Sequence, residues 1–212
     1  DTAIDETLRA LDDLVRAGKV RYLGSSTYAA WQVVESLWVA KELGLNRFVS
    51  EQPPYHILDR RIERGIVPMA LTYGIGLIPW SPLAGGLLTG KYTRGGVAPE
   101  GTRYARPEDV PPQLRRLNET VYDVNEGLLP LAEGKGCTVS QLALAWCMHQ
   151  PGITSPILGP RTMGHLEDNL GALDVSVTDE DRRRIDELVP PGRMVSPFYE
   201  ADFGPSLHRS LV

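Results

Sequence analysis

No stretch of this 212-residue chain reaches the ~18 consecutive apolar residues that a membrane-spanning helix needs, and no signal peptide is visible. Cysteine is scarce. Cys137 and Cys147 are the only two, and both sit beside apolar residues in a helical region, where buried free thiols are expected rather than a bridge. The four histidines, His56, His149, His165 and His208, are scattered without ligand spacing, which argues against a zinc site. Positive charge is in deficit. A net charge of −5 and an isoelectric point near 5.4 argue against nucleic acid as a partner. A chain this long buries roughly 70% of its unfolded surface, so it needs neither disulfide nor metal to hold a core. What these absences leave is a soluble, reduced, cytoplasmic globular protein of one large domain or two small ones.

An initiator methionine is also missing. The chain opens DTAIDETLRALDDLVRAGKV, with Asp1 or Thr2 offering a helix cap and Asp5 and Glu6 placing negative charge in the first turn. Leu8, Leu11, Leu14 and Val15 recur at helical spacing, so a helix is expected almost from the first residue.

Beyond it, strands alternate with helices. Strands are expected at 20–26, 47–55, 75–83 and 153–160, each ending in a polar, Gly- or Pro-containing turn. Helices are expected at 31–44 with Gly44 as the stop, at 60–74 with Pro68 near its first turn, at 138–150 capped by Thr138, from about 164, and at 178–189. Alternation of this kind indicates βα units and a parallel sheet, either doubly wound or part of a barrel. Four units are too few to close a (β/α)₈ barrel. Two stretches break the rhythm: the long Gly/Pro-rich connection 83–112, and a polar, aromatic tail at 191–212 in which Phe198, Tyr199 and Phe203 could wall a substrate site or simply pack on the surface.

GPRTMGHLEDN (159–169) combines a glycine, a guanidinium, a capping threonine and a new helix N-terminus, which is the layout of an anion site. An ordinary helix start with a solvated arginine fits the same letters. WSPLAGGLLTGK (80–91) sets Trp80 at a strand end, suited to stacking on an aromatic ring, followed by a glycine turn and Lys91; a core tryptophan before a plain turn is the alternative. Ser26 and Gln52 are polar ends of apolar strands. Tyr55 is a proton donor in principle, with no lysine nearby in sequence to lower its pKa.

GKVRYLGSS, SEQPPYHILDR, PWSPLAGGLLTGKY and ILGPRTMGHLEDNLGAL, in this order, resemble the second half of an aldo-keto reductase. Among these the likeness is to bacterial members related to the voltage-gated potassium channel beta subunits. The resemblance implies a single domain over 1–212: four parallel strands with their helices, the C-terminal half of a (β/α)₈ TIM barrel, binding NADPH without the GxGxxG fingerprint that this sequence also lacks. It implies that Ser26 and Gln52 hold the nicotinamide carboxamide, with Thr27 beside them, and that Trp80 stacks on the ring. Ser81, Pro82, Leu83, Ala84 and Gly85 are then expected along the pyrophosphate, with Lys91 and Arg103 on a loop closing over it. Gly159 and Arg161 fall by the 2′-phosphate, with His165, Asp168 and Asn169 meeting that phosphate and the adenine. Two positions depart from the family's common pattern: Thr27 replaces Asn or Arg, and His165 replaces Gln or Arg, which makes phosphate affinity more pH-dependent.

The family reduces carbonyl substrates with an Asp/Tyr/Lys/His tetrad carried on the first half of its barrel, and none of the four is expected here. The expectation is therefore a cofactor-gripping half whose catalytic half lies outside this chain, most simply a piece of a longer protein. Its open strand edges would otherwise need a separate N-terminal half or a second copy. The alternative is a non-catalytic NADP(H)-binding or interaction module.

Overall fold

A computed structural model describes residues 2–106 and 116–195. Asp1, positions 107–112 of the long connection, and the tail beyond 195 with Phe198, Tyr199 and Phe203 lie outside them.

The first helix, α1 (Ile4–Arg16), carries Asp5 and Glu6 in its first turn as expected. Its cap is Ala3, with no side-chain hydrogen bond, rather than Thr2. Its apolar stripe packs on a small core, in which Leu8 is buried with Leu23, Ala40 and Phe48. Strand β1 (Leu23–Ser26) leads into α2 (Ala30–Leu43), which stops at Gly44 in the left-handed conformation. Strand β2 (Phe48–Gln52) follows.

The expected helix at 60–74 is two pieces, a 3₁₀ turn (Arg61–Arg64) and α3 (Ile66–Tyr73). Gly65, at φ −142°, separates them and leaves Pro68 in the first turn of α3, where its missing N–H costs no helical bond. Strand β3 is short (Gly76–Leu77) and continues into a 3₁₀ segment at Ala84–Thr89.

A helix that the sequence pattern did not reveal, α4 (Glu119–Gly134), then runs through Gly127 and Pro130 under an Asn118 cap. Next come α5 (Val139–Met148), α6 (Met163–Leu170) and α7 (Asp179–Leu188), the first and last opened by capping boxes at Thr138 and Thr178. Almost every residue of α5 is buried, as a helix enclosed by neighbours requires. Its Trp146 ring lies 5.3 Å from that of Tyr55 in the main core.

The sheet has three parallel strands in the order β1-β2-β3. The expected fourth strand at 153–160 is an extended segment joined to β3 by one parallel bridge, Leu77 to Ile153. Thr154 donates to the Leu77 carbonyl at 2.8 Å and Ile157 to that of Pro79 at 2.8 Å. Prolines at 79, 156 and 160 have no N–H to give, so the ladder cannot continue as regular strand. Because all these segments run the same way, their C-terminal ends emerge side by side, and the candidate residues gather there.

Candidate functional site

Residues Ser26 and Gln52 are register partners at the C-terminal ends of β1 and β2. The Ser26 hydroxyl donates to the Gln52 carbonyl at 3.0 Å, and the Thr27 N–H reaches the same carbonyl at 3.3 Å. On the next strand end, the Trp80 N–H donates to the Pro53 carbonyl at 3.0 Å. Trp80 is half-buried and packs on the main core, as its core reading expects.

After Trp80 the backbone turns tightly. Ser81 and Ala84 have φ of 56° and 52°, and Gly85 and Gly86 follow at 65° and 100°. Thr27, at φ 60°, is the remaining non-glycine residue of this kind among the described residues. All three thus belong to the set expected from sequence to hold cofactor. Left-handed backbone costs a non-glycine residue of order 1–3 kcal/mol and concentrates where function demands it. Within the turn the Ala84 N–H donates to the Ser81 carbonyl at 2.8 Å and the Gly86 N–H to that of Leu83 at 2.9 Å.

That turn floors a cleft of about 790 Å³. Ser81, Pro82, Leu83 and Gly85 line it from below, and Lys91 and Arg103 from the connecting loop. Gly159, Arg161, His165, Asp168 and Asn169 line it from the far side. Most of the residues assigned from sequence therefore meet in one cavity. Five do not: Ser26, Thr27, Gln52 and Trp80 stand outside its lining, and Ala84 is fully buried beneath it. Gly86 is needed as glycine because its φ of 100° is one that residues with a Cβ rarely adopt.

On the far wall, Thr162 caps α6 by accepting from the His165 N–H at 3.2 Å, leaving Arg161 just ahead of the helix N-terminus. Asp168 is tied to α5: the Gln141 Nε2 donates to its carbonyl oxygen at 2.8 Å and to its carboxylate at 3.1 Å. The capping box of α5 therefore orients α6.

Sequence reasoning missed Thr89, Gly101, Thr102, Ser140 and the 157–158 pair in the lining. Ser140, a buried hydroxyl near the start of an otherwise apolar helix, is the one the pattern could have flagged.

Tyr55 is fully buried, and its hydroxyl donates to the Glu63 carboxylate at 2.6 Å. Burial, reinforced by the Glu63 charge, pushes the phenol's pKa well above its ordinary value. It is not placed or tuned to give a proton to a substrate.

The family model of the aldo/keto reductases matches residues 1–190. The chain belongs to this family. It is 39% identical over 176 residues to a probable voltage-gated potassium channel subunit beta of Oryza sativa subsp. japonica, covering 82% of this chain and 53% of that one. It is 36% identical over 192 residues to the uncharacterized oxidoreductase YrpG of Bacillus subtilis (strain 168), covering 90% of this chain and 56% of that one. A probable channel subunit beta of Arabidopsis thaliana is 37% identical over 175 residues, covering 82% of this chain and 53% of its own length. This aldo/keto reductase chain spans about half the length of the curated relatives it matches. Among the described residues no helix is long and apolar enough to cross a membrane.

Proposed function

We propose that the cleft binds NADP(H) and that the chain is the cofactor-gripping, C-terminal half of a (β/α)₈ barrel in an NADPH-dependent reductase of aldehydes or ketones. The observation that carries this reading is the convergence of Lys91, Arg103 and Arg161 on one cleft floored by a left-handed turn. Three cations around one cleft suit a ligand with several phosphates. Asp168 and Asn169 add groups able to meet an adenine amine at the same end. The volume also suits a large nucleotide.

In this reading Arg161 takes the 2′-phosphate, Ser81 and its neighbours take the pyrophosphate, and Ser26, Gln52 and Trp80 hold the nicotinamide at the strand ends. Bound there, the reduced cofactor supplies the hydride for a carbonyl carbon. In this reading the proton comes from a tetrad carried outside residues 1–212, and Tyr55, whose hydroxyl is held by Glu63, has no part in it. The protein acts in the cytoplasm on small carbonyl compounds.

Calorimetric titration with NADP⁺ and NAD⁺ tests the binding claim. NADP⁺ should bind more tightly, and Arg161→Ala should remove the preference; a charge-assisted contact is worth roughly 1.5–3 kcal/mol, or about 10- to 150-fold. Equal affinity for the two nucleotides, or none for either, would overturn it. NADP⁺ binding without oxidation of NADPH by any carbonyl in the intact protein would favour a non-catalytic binding module instead.

A further inference from the structure

Glu51 lies one residue before Gln52 and is fully buried. Side chains alternate along a strand, so it faces away from Gln52 and toward Ser25, its register partner on β1. Its carboxylate accepts from the Ser25 hydroxyl and, at 3.1 Å, from the Tyr28 N–H. These two donors bracket the 25–28 turn, whose middle contains Ser26 and the left-handed Thr27. Among the described residues no cation pairs with Glu51.

A buried carboxylate without a counter-ion is a costly way to fasten two strands, when an apolar pair would serve. Burial pushes its pKa up, and the Ser25 and Tyr28 donors oppose that rise. What an apolar pair could not supply is two acceptor oxygens able to hold both ends of one strained turn at once.

We propose that Glu51 is a positioning residue for the nicotinamide end of the site: its carboxylate clasps the 25–28 turn and thereby sets the Ser26 hydroxyl beside Gln52. This rests on the NADP(H) reading above. It assigns Glu51 no contact with cofactor. Its effect is confined to the strand ends of β1 and β2, away from the cleft where Arg161 and Lys91 take phosphates.

That separation gives the test. Adenosine 2′,5′-bisphosphate carries the adenosine and 2′-phosphate of NADP⁺ but no nicotinamide. Both ligands are titrated into the wild type, Glu51→Gln and Ser25→Ala. Glutamine keeps the size but presents an NH₂ to donors, so E51Q should weaken NADP⁺ by about 3- to 10-fold, the worth of one displaced hydrogen bond. Adenosine 2′,5′-bisphosphate should bind E51Q within about 2-fold of wild type. Ser25→Ala removes one donor and should shift NADP⁺ in the same direction by less; it decides the matter if E51Q does not fold. Equal weakening of both ligands, or no change in either, would show a merely structural Glu51 and overturn the proposal. A wild type that binds neither ligand removes the NADP(H) reading itself, a distinct failure that takes this proposal with it.

Discussion

Tyr92 and Tyr104 meet edge to face, with ring centroids 5.3 Å apart and planes at 87°. Twelve positions separate them in sequence, so the contact closes the connecting loop on itself. The residue next to each ring, Lys91 on one side and Arg103 on the other, lines the cleft. The pair therefore brings two cations from opposite ends of a loop to one cleft. Arg94 fastens the same loop to α4 through Glu119, Asp123 and Glu126.

Of these two fastenings, the ring pair should matter more for binding. An edge-to-face pair is worth about 0.5–1.5 kcal/mol beyond its buried area. Tyr104→Ala should therefore weaken NADP⁺ binding by about 2- to 12-fold. Arg94 is exposed and its carboxylate partners more so, leaving solvent and salt to screen the contact. Arg94→Ala should have the smaller effect, and raising salt should erase the difference between Arg94→Ala and wild type. Parallel titrations at low and high salt check both; an Arg94 effect larger than that of Tyr104 would reverse the ranking.

Arg60 makes a different kind of contact. Its side chain is 4% exposed and donates to Glu63 at 2.8 Å, Asp186 at 2.6 Å and the Val189 carbonyl at 2.7 Å. It also lies 5.2 Å from the Trp146 ring centroid. Without Arg60 the buried Val189 carbonyl loses this donor, and Glu63 keeps the Tyr55 hydroxyl and the Gly192 N–H but loses its cation. Arg60→Ala should cost about 3–5 kcal/mol in denaturant unfolding. A loss below about 1 kcal/mol would mean that Glu63 and Val189 find other donors.

The sequence shows most of the helices because their signals are local. Thr138 caps α5 where the letters place it, and Gly44 ends α2 in the left-handed conformation. Helix α4 escaped for a reason that is not local. Gly127 and Pro130 disfavour helix in isolation, yet a Cβ on Gly127 would come within 2.4 Å of Leu188 Cδ2. The close approach of α7 requires the glycine, and only the folded chain reveals it. The fourth strand failed for the opposite reason: its apolar letters read as strand, while its prolines and single neighbour allow one bridge.

At the site, the cleft-lining residues were legible because GPRTMGHLEDN and WSPLAGG carry their chemistry in short contiguous runs. Glu51 was not legible. Its meaning depends on Ser25 lying opposite it across a parallel pair, a relationship set by register.

The two thiols should separate cleanly in chemical labelling. Cys147 is fully buried, and burial pushes its thiol up to about 12. Cys137 is half-buried, with burial raising its pKa as well. Reactivity follows thiolate fraction and access. Iodoacetamide at about neutral pH should label Cys137 slowly and leave Cys147 untouched until the protein unfolds. Mass spectrometry of the digested adducts reads this directly, and native labelling of Cys147 would show that α5 opens readily.

Acid should release the α1–β2 junction through Asp12. Its carboxylate accepts from the Asn46 N–H at 2.8 Å and the Asn46 side-chain amide at 2.7 Å, and pairs with Arg16. The Asn46 backbone bond, then the Arg16 and Asn46 side chains, hold its pKa below the ordinary carboxylate value. Between the lowered folded value and the unfolded one, the unfolded chain carries the extra proton, so stability rises with pH across that interval. The contribution is complete above about pH 4 and disappears as pH falls through the folded value. Asp12→Asn should therefore be less stable than wild type at neutral pH and should approach it on acidification. Urea unfolding midpoints measured for both proteins between about pH 7 and pH 2.5 check the sign. A gap that stays constant with pH would assign the loss to packing or hydrogen-bond geometry rather than to the charge.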